Sequence, residues 1–153
     1  MENKTIAIGC DEAAYDMKVA LTQYLEEKGY KVVDYGARVG EEILYPDVAF
    51  KVAESVANKE FERAILLCGT GLGVCMSANK VSGVRAAVCH DPYSAERARK
   101  SNNAQIVCFG ARVIGIELAK SLLGIWLESE FKGGRSIPKV NRMSEYEQNA
   151  LKK

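Results

Sequence analysis

Cys68-Gly69-Thr70-Gly71-Leu72-Gly73 places a nucleophilic sulfur at the mouth of a glycine-rich turn. Three glycines so close together let backbone N–H groups converge on a ligand, and a following helix aims its N-terminus at the same point. That combination is an anion hole. A thiol at its rim feels the positive helix end, which lowers its pKa from about 8.5. A buried strand-end cysteine followed by a merely tight turn is the other reading of these residues, since free cysteines are commonly buried. Three familiar phosphate loops fail on spacing. A Rossmann fingerprint needs GxGxxG, usually after the first strand, whereas GxGxG runs here into Val74-Cys75-Met76 on the third. No Gly-Lys-Ser/Thr follows for a P-loop, and Val74 stands where a cysteine phosphatase needs arginine.

Other polar residues fall at strand ends or on loops. Asp11 suits a helix N-cap or a catalytic carboxylate equally well. Arg112, Arg135 and Lys139 are cations that solvent could simply claim, but Gly133-Gly134 leaves the last two on a segment free to reach outward. His90 reads as a polar strand-end residue. Cys10, Cys75, Cys89 and Cys108 read as small core residues.

Short β-prone runs alternate with segments of helical period. The strands are expected at 5–9, 31–35, 63–68, 84–89 and 105–109. Helices are expected at 13–28, from Tyr45-Pro46-Asp47 onward, from the glycine turn to about Lys80, at 92–101 and at 115–127. In the first of these, Ala14, Met17, Leu21, Tyr24 and Leu25 form an apolar stripe with Lys18, Glu26 and Glu27 off it. The segment 131–138 reads as a loop before a polar helix from about Val140. Five βα units in a row predict an α/β fold, a three-layer, doubly wound, Rossmann-like five-stranded parallel sheet with a C-terminal helical extension. Ligands then bind at the carboxyl ends of the strands, where Cys68 and Asp11 lie.

The 153 residues read as a single domain, 1–153. Twenty-one Lys and Arg against 20 Asp and Glu argue against an electrostatic grip on nucleic acid or an anionic membrane. No apolar run approaches the ~18 residues of a transmembrane helix, and the start lacks a secretory h-region. With an odd count of five cysteines, the expectation is a cytoplasmic protein with free thiols. One histidine and no CxxC or HxxxH spacing leave no expected metal site.

Taken together, the chain resembles the ribose-5-phosphate isomerase B family, which includes the galactose-6-phosphate isomerase subunits. The stretches that carry the resemblance are Ile8-Gly-Cys-Asp11, Tyr45-Pro-Asp47, Ile65 to Gly73, Ser77-Ala-Asn-Lys80, Gly83-Val-Arg85, His90 to Ala95, Asn102-Asn103, Gly110 to Gly115 and Gly133-Gly-Arg135. The resemblance implies a homodimer, often paired into tetramers, with shared active sites and no metal or organic cofactor. It implies aldose–ketose interconversion of a small phosphorylated sugar through a cis-enediolate. Cys68 would be the base. The N–H groups of Gly69, Thr70, Gly71, Leu72 and Gly73 and the Thr70 hydroxyl would hold the enediolate oxygen, and Asp11 would shuttle the hydroxyl proton. Tyr45 and Asn102 would contact the sugar, and Arg112, Arg135 and Lys139 the phosphate, in part from the second subunit.

Three positions depart from the family. Glu12 stands where the family has histidine after the aspartate, and a carboxylate there repels a phosphate at close range. Ser101 replaces the histidine assigned to opening a furanose ring. Lys139 replaces an arginine, keeping charge but losing the bidentate fork. A tetrose 4-phosphate has its O4 esterified and closes no furanose, so the favoured substrate is erythrose or erythrulose 4-phosphate. Ser101-Asn-Asn-Ala-Gln105, Arg135-Ser136 and Val140-Asn141 are similar to a family branch that acts on erythrulose 4-phosphate. Ribose 5-phosphate is the alternative substrate, followed by hexose 6-phosphates. A non-catalytic sugar-phosphate-binding subunit is the alternative of another class.

Overall fold

A computed structural model describes residues 4–153; Met1, Glu2 and Asn3, part of the start expected to carry no secretory signal, lie outside the described residues. The strands β1 (Thr5–Cys10), β2 (Lys31–Asp34), β3 (Ala64–Cys68), β4 (Ala86–Val88) and β5 (Ile106–Gly110) form one parallel sheet in the order β2-β1-β3-β5-β4. The helices are α1 (Tyr15–Glu27), α2 (Tyr45–Ala57), α3 (Leu72–Ala78), α4 (Pro92–Lys100), α5 (Ile116–Glu128) and α6 (Ile137–Leu151). The chain thus forms the doubly wound sheet with a helical extension.

Strands β3 and β5 are buried along their whole length, which is why they read as unbroken apolar runs. Alternate residues feed two cores. Ile6, Ile8, Ile65 and Leu67 pack with Leu21, Leu122 and Trp126 of α1 and α5, whereas Ala7 and Leu66 pack with Val48 and Val52 of α2. From β1 the chain adds β2 on one side and then returns to place β3 on the other. The carboxyl ends of β1 and β3 therefore flank the switch-point crevice where such folds bind ligands. Helix α6 lies outside the layers: Val140 is its buried residue, and Glu147 accepts from Gly83 N at 3.1 and 3.2 Å.

Several boundaries differ from the sequence expectation. Lys18 is not on a solvated face; it is 2% exposed, donating to Asp34 Oδ1 at 2.9 Å and to the Ala37 carbonyl. A periodicity count cannot see a carboxylate that arrives from the next strand. The first helix opens with a 3-10 turn, Glu12–Ala14. Helix α3 ends at Ala78, because the Asn79 side chain is drawn onto Ala86 N and O, each at 2.9 Å. Helix α6 starts at Ile137 rather than near Val140, with Pro138 in its first turn, where a preset φ and a missing N–H cost nothing. Arg63 precedes β3 and is buried to 1% exposure. Cys75 is half-buried rather than core, with its thiol donating to Ala86 O at 3.3 Å. Among the described residues no helix is long and apolar enough to cross a membrane.

Candidate active site

Cys68 is the last residue of β3, and β3 lies between β1 and β5, with Leu67 opposite Cys10 and Cys68 opposite Gly110. Main-chain bonds tie the glycine turn to both neighbours: Asp11 N donates to Leu67 O (3.3 Å), Ala111 N to Cys68 O (2.9 Å) and Arg112 N to Gly69 O (2.9 Å). Gly71 has φ +78°, and a Cβ there would stand 2.9 Å from the Phe109 carbonyl carbon. Only glycine fits both the handedness and the space. This twist turns Gly71 N onto Cys68 Sγ at 3.1 Å. The sulfur, 4% exposed, thus faces the turn and receives its N–H.

The donors of the turn are already divided. Gly71 N serves the sulfur, and Leu72 N donates to Thr70 Oγ1 at 3.2 Å, so neither is free for a ligand. The N–H groups of Gly69, Thr70 and Gly73 find no acceptor among the described residues. The expected ring of five donors is therefore a set of three, joined by a Thr70 hydroxyl whose own hydrogen stays available because its oxygen is the acceptor.

Around this turn stand three further residues that the sequence singled out. Tyr45, at the start of α2, lays its ring against Gly73, in the space a Cβ would take. Arg112 folds its guanidinium over Gly69, with Nη1 3.3 Å from where a Cβ would be. Asp11 is half-buried: Oδ1 caps the 3-10 turn through Ala13 N at 3.1 Å. Burial, then the neighbouring Glu12 charge, push its carboxyl above the usual aspartate value, against the cap bonds and Arg112. The cap reading of Asp11 is what the structure shows. Glu12 itself is exposed and accepts from Ile43 N at 3.3 Å, so it points along the loop that leads to Tyr45. His90 acts as scaffold: its Nε2 accepts from Gly110 N at 2.9 Å, and burial lowers its pKa.

The other four cysteines sit in differing environments. Burial pushes the Cys10 thiol up to about 11 and the Cys89 thiol up to about 12. Burial also raises Cys108, while a hydrogen bond with Cys108 lowers Cys75. Among the described residues no group of three or more His, Cys, Asp or Glu could hold a metal ion.

Ser101 and Asn102 lie elsewhere. Helix α4 runs against the strands, so its end, and these two residues, sit at the amino edge of the sheet beside the start of β5. Ser101 Oγ accepts from Arg97 Nε at 2.7 Å, and Asn102 N donates to Arg97 O at 3.2 Å. Arg135 follows Gly134, which lines a cavity together with Arg97, and Lys139 is exposed in the first turn of α6. One chain thus gathers the expected residues into two groups: Asp11, Tyr45, Cys68–Gly73 and Arg112 at the carboxyl edge, and Ser101, Asn102 and Arg135 with the α4 end and the tail. Arg97 was not singled out from sequence; the basic run of Arg97, Arg99 and Lys100 in the last turn of α4 was its signal.

A profile of the family described as Ribose/Galactose Isomerase matches residues 6–143. A D-erythrulose-4-phosphate isomerase of Pectobacterium atrosepticum is 56% identical over 144 residues, covering 94% of this chain and 95% of that protein. A ribose-5-P isomerase B of Listeria innocua is 54% identical over 143 residues, covering 94% and 97%. The solved ribose-5-phosphate isomerase B of Clostridium thermocellum superposes with a TM-score of 0.93 at 42% identity, over 95% of this chain and 99% of that one. With a match of this extent joined to the strand-end geometry, the chain belongs to the Ribose/Galactose Isomerase family.

Proposed function

We propose that this protein interconverts an aldose phosphate and its ketose phosphate, with Cys68 as the base and a four-carbon sugar 4-phosphate as the preferred substrate. The observation that carries the reading is the Gly71 N–H held on Cys68 Sγ at 3.1 Å beside the unused N–H groups of Gly69 and Thr70. As a thiolate, Cys68 takes the hydrogen from C1 of the ketose or C2 of the aldose, and the electron pair moves onto the carbonyl oxygen. The free N–H groups and the Thr70 hydroxyl hold the resulting enediolate oxygen, an interaction strongest where charge develops. Asp11, its carboxyl raised toward neutrality by burial, moves the hydroxyl proton between O1 and O2. Cys68 then returns its proton to the other carbon. No cofactor takes part in these steps.

Tyr45 and Arg112 contact the substrate within the chain. Ser101, Asn102, Arg135 and Lys139 reach it from a second copy in a homodimer with shared sites, since within one chain Ser101 and Asn102 lie at the opposite edge of the sheet. Two features support the tetrose: a serine rather than an ionisable ring stands at position 101, and a relative at 56% identity is named for erythrulose 4-phosphate. Ribose 5-phosphate is the second reading, favoured by the relative at 54% identity. The test is turnover of erythrulose 4-phosphate beside ribose 5-phosphate, read as aldose–ketose conversion. The expected result is a higher specificity constant for the tetrulose; a much higher one for ribose overturns the tetrose assignment. Turnover of neither sugar, nor of a hexose 6-phosphate, overturns the isomerase.

A further inference from the structure

At the end of α4 a cavity of about 380 Å3 is lined by Arg97, Lys100, Glu130, Lys132, Gly133 and Gly134. Three of these are cations. The one carboxylate is claimed from behind: Glu130 Oε1 lies 2.7 Å from Arg63 Nη2, and Oε2 3.9 Å from Arg99 Nη2. The cavity therefore presents net positive charge to an incoming anion.

Arg97 is the cation with a defined pose. Its Nε donates to Ser101 Oγ at 2.7 Å, which holds the plane of the guanidinium, and Nη1 lies 3.5 Å from Glu96 Oε1. Glu96 is shared with Lys100 at 3.3 Å, so it only partly satisfies Arg97. Nη2 makes no hydrogen bond among the described residues, and the side chain is 36% exposed. A guanidinium anchored at Nε, with Nη2 unpartnered and the residue lining a cavity, suits a phosphate or carboxylate, because the planar fork meets two oxygens at once. Gly133 and Gly134 of this lining lead directly along the chain to Arg135.

We propose that Arg97, oriented by Ser101, is an additional phosphate-binding residue of the sugar-phosphate site, acting beside Arg135 on the half that a second copy supplies. This rests on the isomerase reading above and extends it. Ser101 is then an anchor for a cation, and the pair offers charge recognition.

The test uses the full chain and two readouts, the dissociation constant of inorganic phosphate by calorimetry and the steady-state constants for erythrulose 4-phosphate. Circular dichroism checks the fold of each variant. Arg97→Gln is expected to raise both the phosphate dissociation constant and KM by about 10- to 100-fold with kcat changed less than about threefold, the pattern of lost ground-state binding. Arg97→Lys should fall between, keeping charge without the fork. Ser101→Ala should weaken phosphate binding by about threefold to tenfold by releasing the guanidinium. Phosphate affinity within twofold of wild type in Arg97→Gln overturns the proposal, as does a wild-type protein that binds no phosphate. A wild type that binds phosphate but isomerises no sugar phosphate overturns the isomerase instead, and the phosphate constants of Arg97→Gln still decide the role of Arg97.

Discussion

At the carboxyl edge of the sheet the polar groups that converge are mostly main-chain N–H; at the amino edge they are arginines. Arg63, 1% exposed, spends its guanidinium on Trp126 O (3.1 Å), Leu127 O (3.0 Å), Ser129 O (3.0 Å) and Glu130 (2.7 Å), closing the end of α5. Arg99 donates to Ala104 O at 2.8 Å and Asn103 Oδ1 at 3.1 Å, and burial, with Arg63 nearby, brings its pKa down to about 10. These two cations hold structure, because carbonyls of the chain consume them. Cys68-Gly69-Thr70 is the opposite case, with donors left unspent beside a sulfur. Charge drawn onto the chain's own carbonyls builds the fold, even with Arg63 Nε and Arg99 Nε left unpartnered among the described residues; at the other edge the unpartnered donors are main-chain N–H groups.

Each expected outcome below tests that division, the largest effect first. Replacing Cys68 by Ala should lower kcat/KM by about 10³- to 10⁴-fold or more while leaving phosphate affinity and thermal stability nearly unchanged. Solvent proton exchange at C2 is the direct measurement, and retention of a tenth of wild-type exchange breaks the comparison at its active edge. Arg63→Met should cost about 3–5 kcal/mol in chemical denaturation, since it removes a buried guanidinium from the Trp126, Leu127 and Ser129 carbonyls that close α5. The folded fraction should keep its KM; a changed KM with unchanged stability would make Arg63 part of the site.

Gly71→Ala forces a left-handed residue against Phe109 and should cost at least about 2 kcal/mol while also depressing kcat, because the N–H on Cys68 is displaced. Equal losses of stability and no change in kcat would detach the turn from the chemistry. His90 accepts from Gly110 N and has a pKa below 6.5, so the unfolded chain binds its proton more readily than the folded one. Its contribution is present above pH 6.5 and fades as pH falls through the lowered value. A melting-temperature profile that is unchanged by His90→Ala across that range removes this role. The smallest effect is expected for Glu12→Gln. Removing the charge beside Asp11 should move the acidic limb of the kcat/KM profile to lower pH, while burial, Arg112 and the cap bonds persist.

Some of this was legible in particular residues. The alternation of Ile6, Ala7 and Ile8 and the unbroken run of β3 identify strands, and Gly71, Gly73 and Cys68 mark the turn, because backbone conformation and period are local properties. Arg63 and Lys18 were not legible: a buried cation is defined by carbonyls and a carboxylate that arrive from distant elements. The split of the candidate site was partly legible: a helix expected at 92–101 between two parallel strands carries the chain back to the edge opposite Cys68, so Asn102 falls there. What the linear order did not show is that Ser101 is drawn onto Arg97.

By itself, then, the sequence determined five βα units, a glycine-rich turn with a cysteine at its head, and the residue types able to move a proton and meet a phosphate. The tertiary structure alone decided that β3 returns beside β1, so that Asp11 and Cys68 share one crevice, and that Ser101 holds Arg97 at the other edge. Periods and turns are written over a few residues, whereas strand order and the partners of a charge are settled by burial between segments far apart in the chain.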